Sequence, residues 1–188
     1  MKQVAPIERP KTLMGLAYEE IKKLLTTGRF EFGKIYSANQ FAEILGVSRT
    51  PVREALLQLT AEGYLVSTLG RGFRIRDFSE KEIKDFFETR QMIEVYVIQH
   101  LVNLLNELDF RYLEECCIRM RKNSGAGYTT AFLDADKDFH MSLVHRYNNL
   151  FLESIMGDIR NLISIFGQRA LSHPGRTKEV IKEHERIL

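Results

Sequence analysis

Apolar positions along this chain fall into three regimes. From Leu13 to Leu59 they recur at helical spacing in short stretches: Leu13, Leu16, Ala17, Ile21, Leu24 and Leu25, then Phe41, Ala42 and Leu45, then Val52, Leu56, Leu57 and Leu59. Each stretch carries punctuation. Thr12, Ser37 and Ser48 stand at N-cap positions, Pro51 falls in a first turn where its missing N–H costs nothing, and Gly28, Gly46 and Gly63 end the runs. The period then drops to two. Tyr64-Leu65-Val66-Ser67-Thr68 and Phe73-Arg74-Ile75-Arg76 alternate around Leu69-Gly70-Arg71-Gly72, which predicts a β-hairpin with a basic glycine-rich tip.

From Ser79 only long helical stretches remain. The spacing predicts helices over about 79–105, 109–123, 129–147 and 150–172, with a last one from about 176. The first buries Ile83, Phe86, Phe87, Ile93, Val97, Ile98, Leu101 and Leu104, and the second Leu113, Cys116, Cys117 and Met120. Breaks fall at Ser124-Gly125-Ala126-Gly127, Asn148-Asn149 and His173-Pro174-Gly175. The fold class is therefore mainly α. A winged helix-turn-helix domain with a small hairpin wing occupies residues 1–78, and an all-helical bundle occupies 79–188. The apolar pattern is still running at Ile187-Leu188, so further helices are expected after it.

Composition alters this picture in one respect. The net charge of +2 is uninformative for the whole chain, but residues 1–76 carry 12 Lys+Arg against 7 Asp+Glu, and residues 77–188 carry 15 against 18. A basic first domain suits a polyanion; the mildly acidic remainder does not. The two cysteines are adjacent, which gives no disulfide framework and points to a reducing compartment and core packing. Met1 to Pro10 reads as a loose arm without an apolar signal core, and no stretch approaches the ~20 apolar residues of a membrane span. A cytoplasmic protein without membrane attachment is expected.

Gly46 to Leu56 holds the chemistry of the first domain. A glycine turn joins two short helices, and the second opens with Arg49, Thr50 and Arg53 where the core needs none of them. That is the layout of a helix entering a DNA major groove. Arg offers a bidentate fork to guanine or phosphate, and Thr a methyl and a hydroxyl. Ser48 at the helix start, Asn39 on the preceding helix, and Gly70 and Arg71 at the wing tip are expected flanking contacts to double-stranded DNA. Leu45-Gly-Val-Ser-Arg-Thr-Pro-Val-Arg-Glu-Ala-Leu56, with Glu62-Gly-Tyr-Leu-Val66 and Gly70-Arg-Gly72, resembles the GntR family of bacterial transcription regulators across residues 12–76. The resemblance implies operator binding as a homodimer through Arg49, Thr50, Arg53, Gly70 and Arg71.

In the bundle, Asp136 and His140 are four apart on an apolar stripe with Phe132, Phe139 and Leu143, and His184 lies on the stripe of the last helix with Val180 and Ile187. A buried carboxylate must be protonated, paired or metal-bound. One Asp and two His suit a divalent transition metal, whereas Asp136 paired with His140 or an arginine is the plain alternative. Arg90 and Glu94, also four apart, read first as an intrahelical ion pair. His100, His145 and His173 join no such grouping. Asp136-Lys-Asp-Phe-His140, Asn149 and Glu183-His184-Glu-Arg-Ile-Leu188 resemble the FadR-type (FCD) branch of the same family.

That resemblance implies an effector domain holding zinc, or nickel or manganese, through Asp136, His140 and His184, with a fourth histidine expected beyond Leu188. It also places Arg90 in an effector cavity, with Glu94 and Asn149 as further effector-binding positions, for a small organic or sugar acid. Acid binding would repack helices and change the spacing of recognition helices on half-sites ~34 Å apart. A metal-dependent hydrolase, or a DNA-binding protein whose metal is purely structural, are the competing readings; no HExxH or similar base-bearing motif supports the former.

Overall fold

The computed structural model describes residues 12–125, 129–171 and 173–188, with main chain alone over 168–170. The expected N-terminal arm, Ala126-Gly127 of the predicted break and Ser172 lie outside the described residues. The elements run α1 (Leu13–Thr26), α2 (Ala38–Leu45), α3 (Arg49–Ala61), β1 (Leu65–Thr68), β2 (Gly72–Ile75), α4 (Glu80–Leu101), α5 (Glu107–Lys122), α6 (Thr129–Tyr147), α7 (Leu150–Leu171) and α8 (Arg176–Glu185). They form two compact units. One holds the residues up to Leu25 with Arg29–Asp77, and the other holds Phe78–Leu188 with Thr26–Gly28.

In the first unit, Ser37 and Gln40 form a capping box that starts α2, and Gly46 in the left-handed region ends it. The tight turn then delivers α3, which buries Val52, Ala55, Leu56 and Leu59 and packs on α2 and β1. Leu57 does not join this face: it is 42 % exposed, because Leu56 and Leu59 already define the stripe. Leu13 and Leu16 are likewise exposed, so α1 buries only Ala17, Ile21 and Leu25 within its helix. Ser48 has the extended backbone of an N-cap, yet its side chain makes no capping bond, contrary to expectation.

β1 and β2 pair antiparallel, from Leu65 opposite Ile75 to Thr68 opposite Gly72. Tyr36 adds a short third rung, exchanging both main-chain hydrogen bonds with Phe73 at 2.8 Å. The wing is thus tied directly to the residue preceding the cap of α2. Gly72 permits this closeness: at φ +131°, a Cβ there would lie 2.4 Å from the Tyr36 carbonyl oxygen.

The second unit is a five-helix bundle organised around α6. Its buried residues cover most of its circumference: Phe132, Leu133, Ala135, Asp136, Phe139, His140, Leu143 and Val144. A helix buried this broadly needs partners on several sides, and α4, α5 and α7 all pack on it. Val97 and Leu101 of α4, the α5 face of Leu113, Cys116, Cys117 and Met120, and Val180 and Ile181 of α8 share one core with it. A second cluster joins Ile159, Ile163 and Phe166 of α7 to Phe78, Ile83, Phe86 and Ile93. Phe87 and Leu104, expected inside, are 44 % and 60 % exposed. α4 ends at Leu101, before Leu104, and α5 starts two residues early because Asn106 caps it and Asp109 closes the capping box.

Gly70 and Gly72 separate conformational from steric cost. Gly70→Ala meets nothing within 4 Å at φ +68° and should lose about 1 kcal/mol. Gly72→Ala adds the clash with Tyr36, so its loss should reach about 2 kcal/mol or more. Thermal unfolding of the two variants side by side checks the order.

Candidate functional site

The exposed residues expected to meet DNA lie in the first unit. Ser48, Arg49, Thr50 and Arg53 of α3, Asn39 of α2, and Gly70 and Arg71 at the wing tip are all exposed. Arg49 and Arg53 share a face because they are four apart, and the helix packs through Val52, Ala55, Leu56 and Leu59 instead. The start of α3 and the wing tip therefore present charge without burying it.

The buried chemistry lies in the second unit. Asp136, His140 and His184 are all less than a tenth exposed. His184 Nδ1 donates to the Val180 carbonyl at 2.7 Å, and His140 Nδ1 donates to Glu94 Oε1 at 2.7 Å. Each neutral ring then carries its lone pair on Nε2. Those two Nε2 atoms are 2.9 Å apart, and Asp136 Oδ1 stands 3.1 Å from His184 Nε2 and 3.8 Å from His140 Nε2. Three acceptor atoms turned on one point require a cation there, either a proton shared between the rings or a metal ion.

The donor set fits a metal. Ligand atoms about 2.0 Å from a tetrahedral zinc stand about 3.3 Å from one another, and the three separations bracket that value. Among the described residues these are the side chains whose ligand atoms converge in this way. The outer partners are those a metal-binding histidine wants, a carbonyl behind one ring and a carboxylate behind the other.

Arg160 of α7 completes the cluster, and nothing in the local spacing singled it out as a site residue. It is 1 % exposed and donates through Nη2 to Asp136 Oδ2, so each carboxylate oxygen faces a different neighbour. Its remaining Nε and Nη1 are buried without a hydrogen-bond partner among the described residues. The signal that could have found it is a charge on the apolar stripe of α7, between Met156, Ile159 and Ile163. Burial alone would favour a neutral Asp136. The charge of Arg160 leads the effects that more than offset it and hold the carboxyl well below the usual range. Glu94 follows the same pattern: burial opposes its charge, but His140 and Arg90 bring it down to about 2.

A cavity of about 220 Å³ adjoins the cluster, with Arg90, Asp136 and His184 in its wall. Phe87, Phe132, Leu133, Ile163 and Leu171 supply apolar walls, and Arg176 and Glu183 pair at 2.8 Å beside it. Phe87 is half-exposed because it lines this space. Arg90 reaches the cavity, but its partner Glu94 does not line it and instead accepts from Arg90 Nε at 2.9 Å and from His140. Asn149 does not line this cavity. It is an exposed residue whose side chain accepts from the N–H groups of Phe151 and Leu152 and so caps α7, which corrects its expected effector role.

Two family models match the chain. Residues 15–75 match the bacterial regulatory proteins of the gntR family, and residues 85–188 match the FCD domain. The chain belongs to the GntR family, FCD branch. Relatives of this GntR regulator include the HTH-type transcriptional regulator YdhC of Bacillus subtilis, 26 % identical across 96 % of this chain and 81 % of its own length. The gluconate operon transcriptional repressor of the same organism is 26 % identical across 97 % and 73 %. Among solved structures, E. coli McbR/YncC superposes with a TM-score of 0.76 at 22 % identity, covering 94 % of this chain and 82 % of that one. The protein is thus a DNA-binding transcriptional regulator, and its relatives are regulators rather than enzymes, which removes the hydrolase reading. No helix among the described residues is long and apolar enough to cross a membrane.

The Asp136–Arg160 pair gives a stability test. Arg160→Met leaves a buried carboxylate short of its main cation and should cost about 3–5 kcal/mol in chemical denaturation. Asp136→Leu in the same chain should recover much of that loss, since an apolar pair of similar volume no longer buries a charge.

Proposed function

We propose that this GntR regulator binds a palindromic operator as a homodimer and answers to a small carboxylate taken up beside a metal in its FCD domain. The observation that carries the reading is the convergence of His140 Nε2, His184 Nε2 and Asp136 Oδ1 at the edge of a cavity that Arg90 also lines. Asp136, His140 and His184 would hold zinc, nickel or manganese, and the ion supplies a Lewis-acid centre that anchors an anionic oxygen. Arg90 offers the matching fork for the other carboxylate oxygen. At about 220 Å³ the cavity suits an acid smaller than the ligands of ordinary 300–1,000 Å³ pockets.

On the DNA side, Arg49, Thr50 and Arg53 read base edges and phosphates, with Ser48, Asn39, Gly70 and Arg71 as flanking contacts. Repression in the cytoplasm is the working mode, supported by the gluconate operon repressors among the relatives. Domain limits near residue 78 separate the two tasks, in keeping with the two compact units.

Operator titration at fixed salt tests both halves. Arg49→Ala and Arg53→Ala should each weaken binding by about 1–3 kcal/mol. A panel of small organic and sugar acids should contain members that shift wild-type operator affinity, and a panel that shifts nothing removes the effector. Chelation should lower the melting temperature of the wild type and leave an Asp136→Asn, His184→Ala double variant unmoved.

A further inference from the structure

Two groups claim the one lone pair on His140 Nε2. It is a member of the converging trio, yet Arg90 Nη2 also donates to it at 3.0 Å. Because Nδ1 of the same ring donates to Glu94, Nε2 is an acceptor with a single lone pair to give. It can receive Arg90 or ligate a metal, but not both. Arg90 is otherwise well held: Nε is fixed to Glu94 at 2.9 Å, and the guanidinium rests 5.7 Å from the centre of the Phe87 ring on the cavity wall. The guanidinium is one rigid plane, so moving its Nη atoms off His140 means turning the whole group about the bonds of its aliphatic stem.

Resting on the metal-and-carboxylate reading above, we infer that Arg90 is exchanged between His140 and the effector. It caps Nε2 of His140 whenever no metal claims that lone pair, and turns its free donors to a carboxylate in the cavity once the lone pair is ligated. Two consequences follow. Zinc affinity is held down by the hydrogen bond that must be given up. Metal and carboxylate also bind cooperatively, each raising the affinity of the other by the same factor.

Zinc alone is the first probe, titrated against a competing chelator with the full chain. Arg176→Ala sets the electrostatic yardstick: it removes a cation from the same cavity that is likewise paired with a carboxylate, Glu183, but makes no bond to either histidine. Arg90→Ala should tighten zinc binding about tenfold beyond that yardstick, the worth of one hydrogen bond from a charged donor. Arg90→Met, which keeps an apolar stem over Phe87, gives the same reading if the alanine variant does not fold.

Acetate, the smallest carboxylate, is the second probe. In the wild type, acetate should raise zinc affinity and zinc should raise acetate affinity by one common factor, and that factor should be several-fold smaller in Arg90→Ala, where only direct contact between zinc and carboxylate remains. Equal gains from Arg90→Ala and Arg176→Ala overturn the exchange, as does coupling that survives intact without Arg90. A wild type that takes up both ligands independently also overturns the exchange, together with the anchoring of the acid on the metal. A wild type that takes up no zinc overturns the metal reading beneath it.

Discussion

The second unit is organised by the need to compensate one buried carboxylate. Asp136 sits on the central helix of the bundle, where an uncompensated charge would cost several kcal/mol. The compensation comes from three other helices. Arg160 reaches it from α7, His184 from α8, and His140, one turn along α6, is itself held by Glu94 and Arg90 of α4. A single charge thereby couples four helices whose apolar contacts alone would tolerate small slides. Buried ion pairs contribute little net stability but tolerate few geometries, and that is their use here.

The same cluster is poised rather than closed. Arg160 satisfies one oxygen of Asp136 and leaves the other to the histidines. Behind the rings, a carbonyl and a carboxylate hold each Nδ1–H, so both Nε2 atoms must face inward. Such orientation is the preorganisation a cation site needs, because the cost of aligning the donors is met in folding. Buried in the protein and away from salt, these interactions are strong and poorly screened.

Much of this was legible in the sequence because helical spacing is a local property. The i, i+4 relation of Asp136 and His140, the third helix and its exposed arginines, the wing, and the α5 face of Leu113, Cys116, Cys117 and Met120 each depend on residues within a few turns of one another. What crossed between helices was not legible. That Arg160 would answer Asp136, and that Glu94 would turn away from the cavity to hold His140, depend on how α4, α6 and α7 pack. Asn149 shows the converse error. Its place in a family-like run suggested a ligand contact, whereas its backbone neighbours claimed it as a cap. Short polar side chains beside a helix start usually go to local N–H groups first.

Arginine works in opposite ways in the two units, and the contrast matches their tasks. Arg49 and Arg53 keep their charge in water, where DNA association is diffusive and falls steeply with ionic strength because phosphate neutralisation releases counterions. Arg160 keeps its charge in the core, where salt has little access and only a partner of fixed position can answer it. Arg90 is intermediate: partly buried, anchored at one end and lining a cavity at the other. The proposed carboxylate response would need that intermediate character. A fully exposed guanidinium would bind small acids weakly and without selection, and a fully buried one could not reach them.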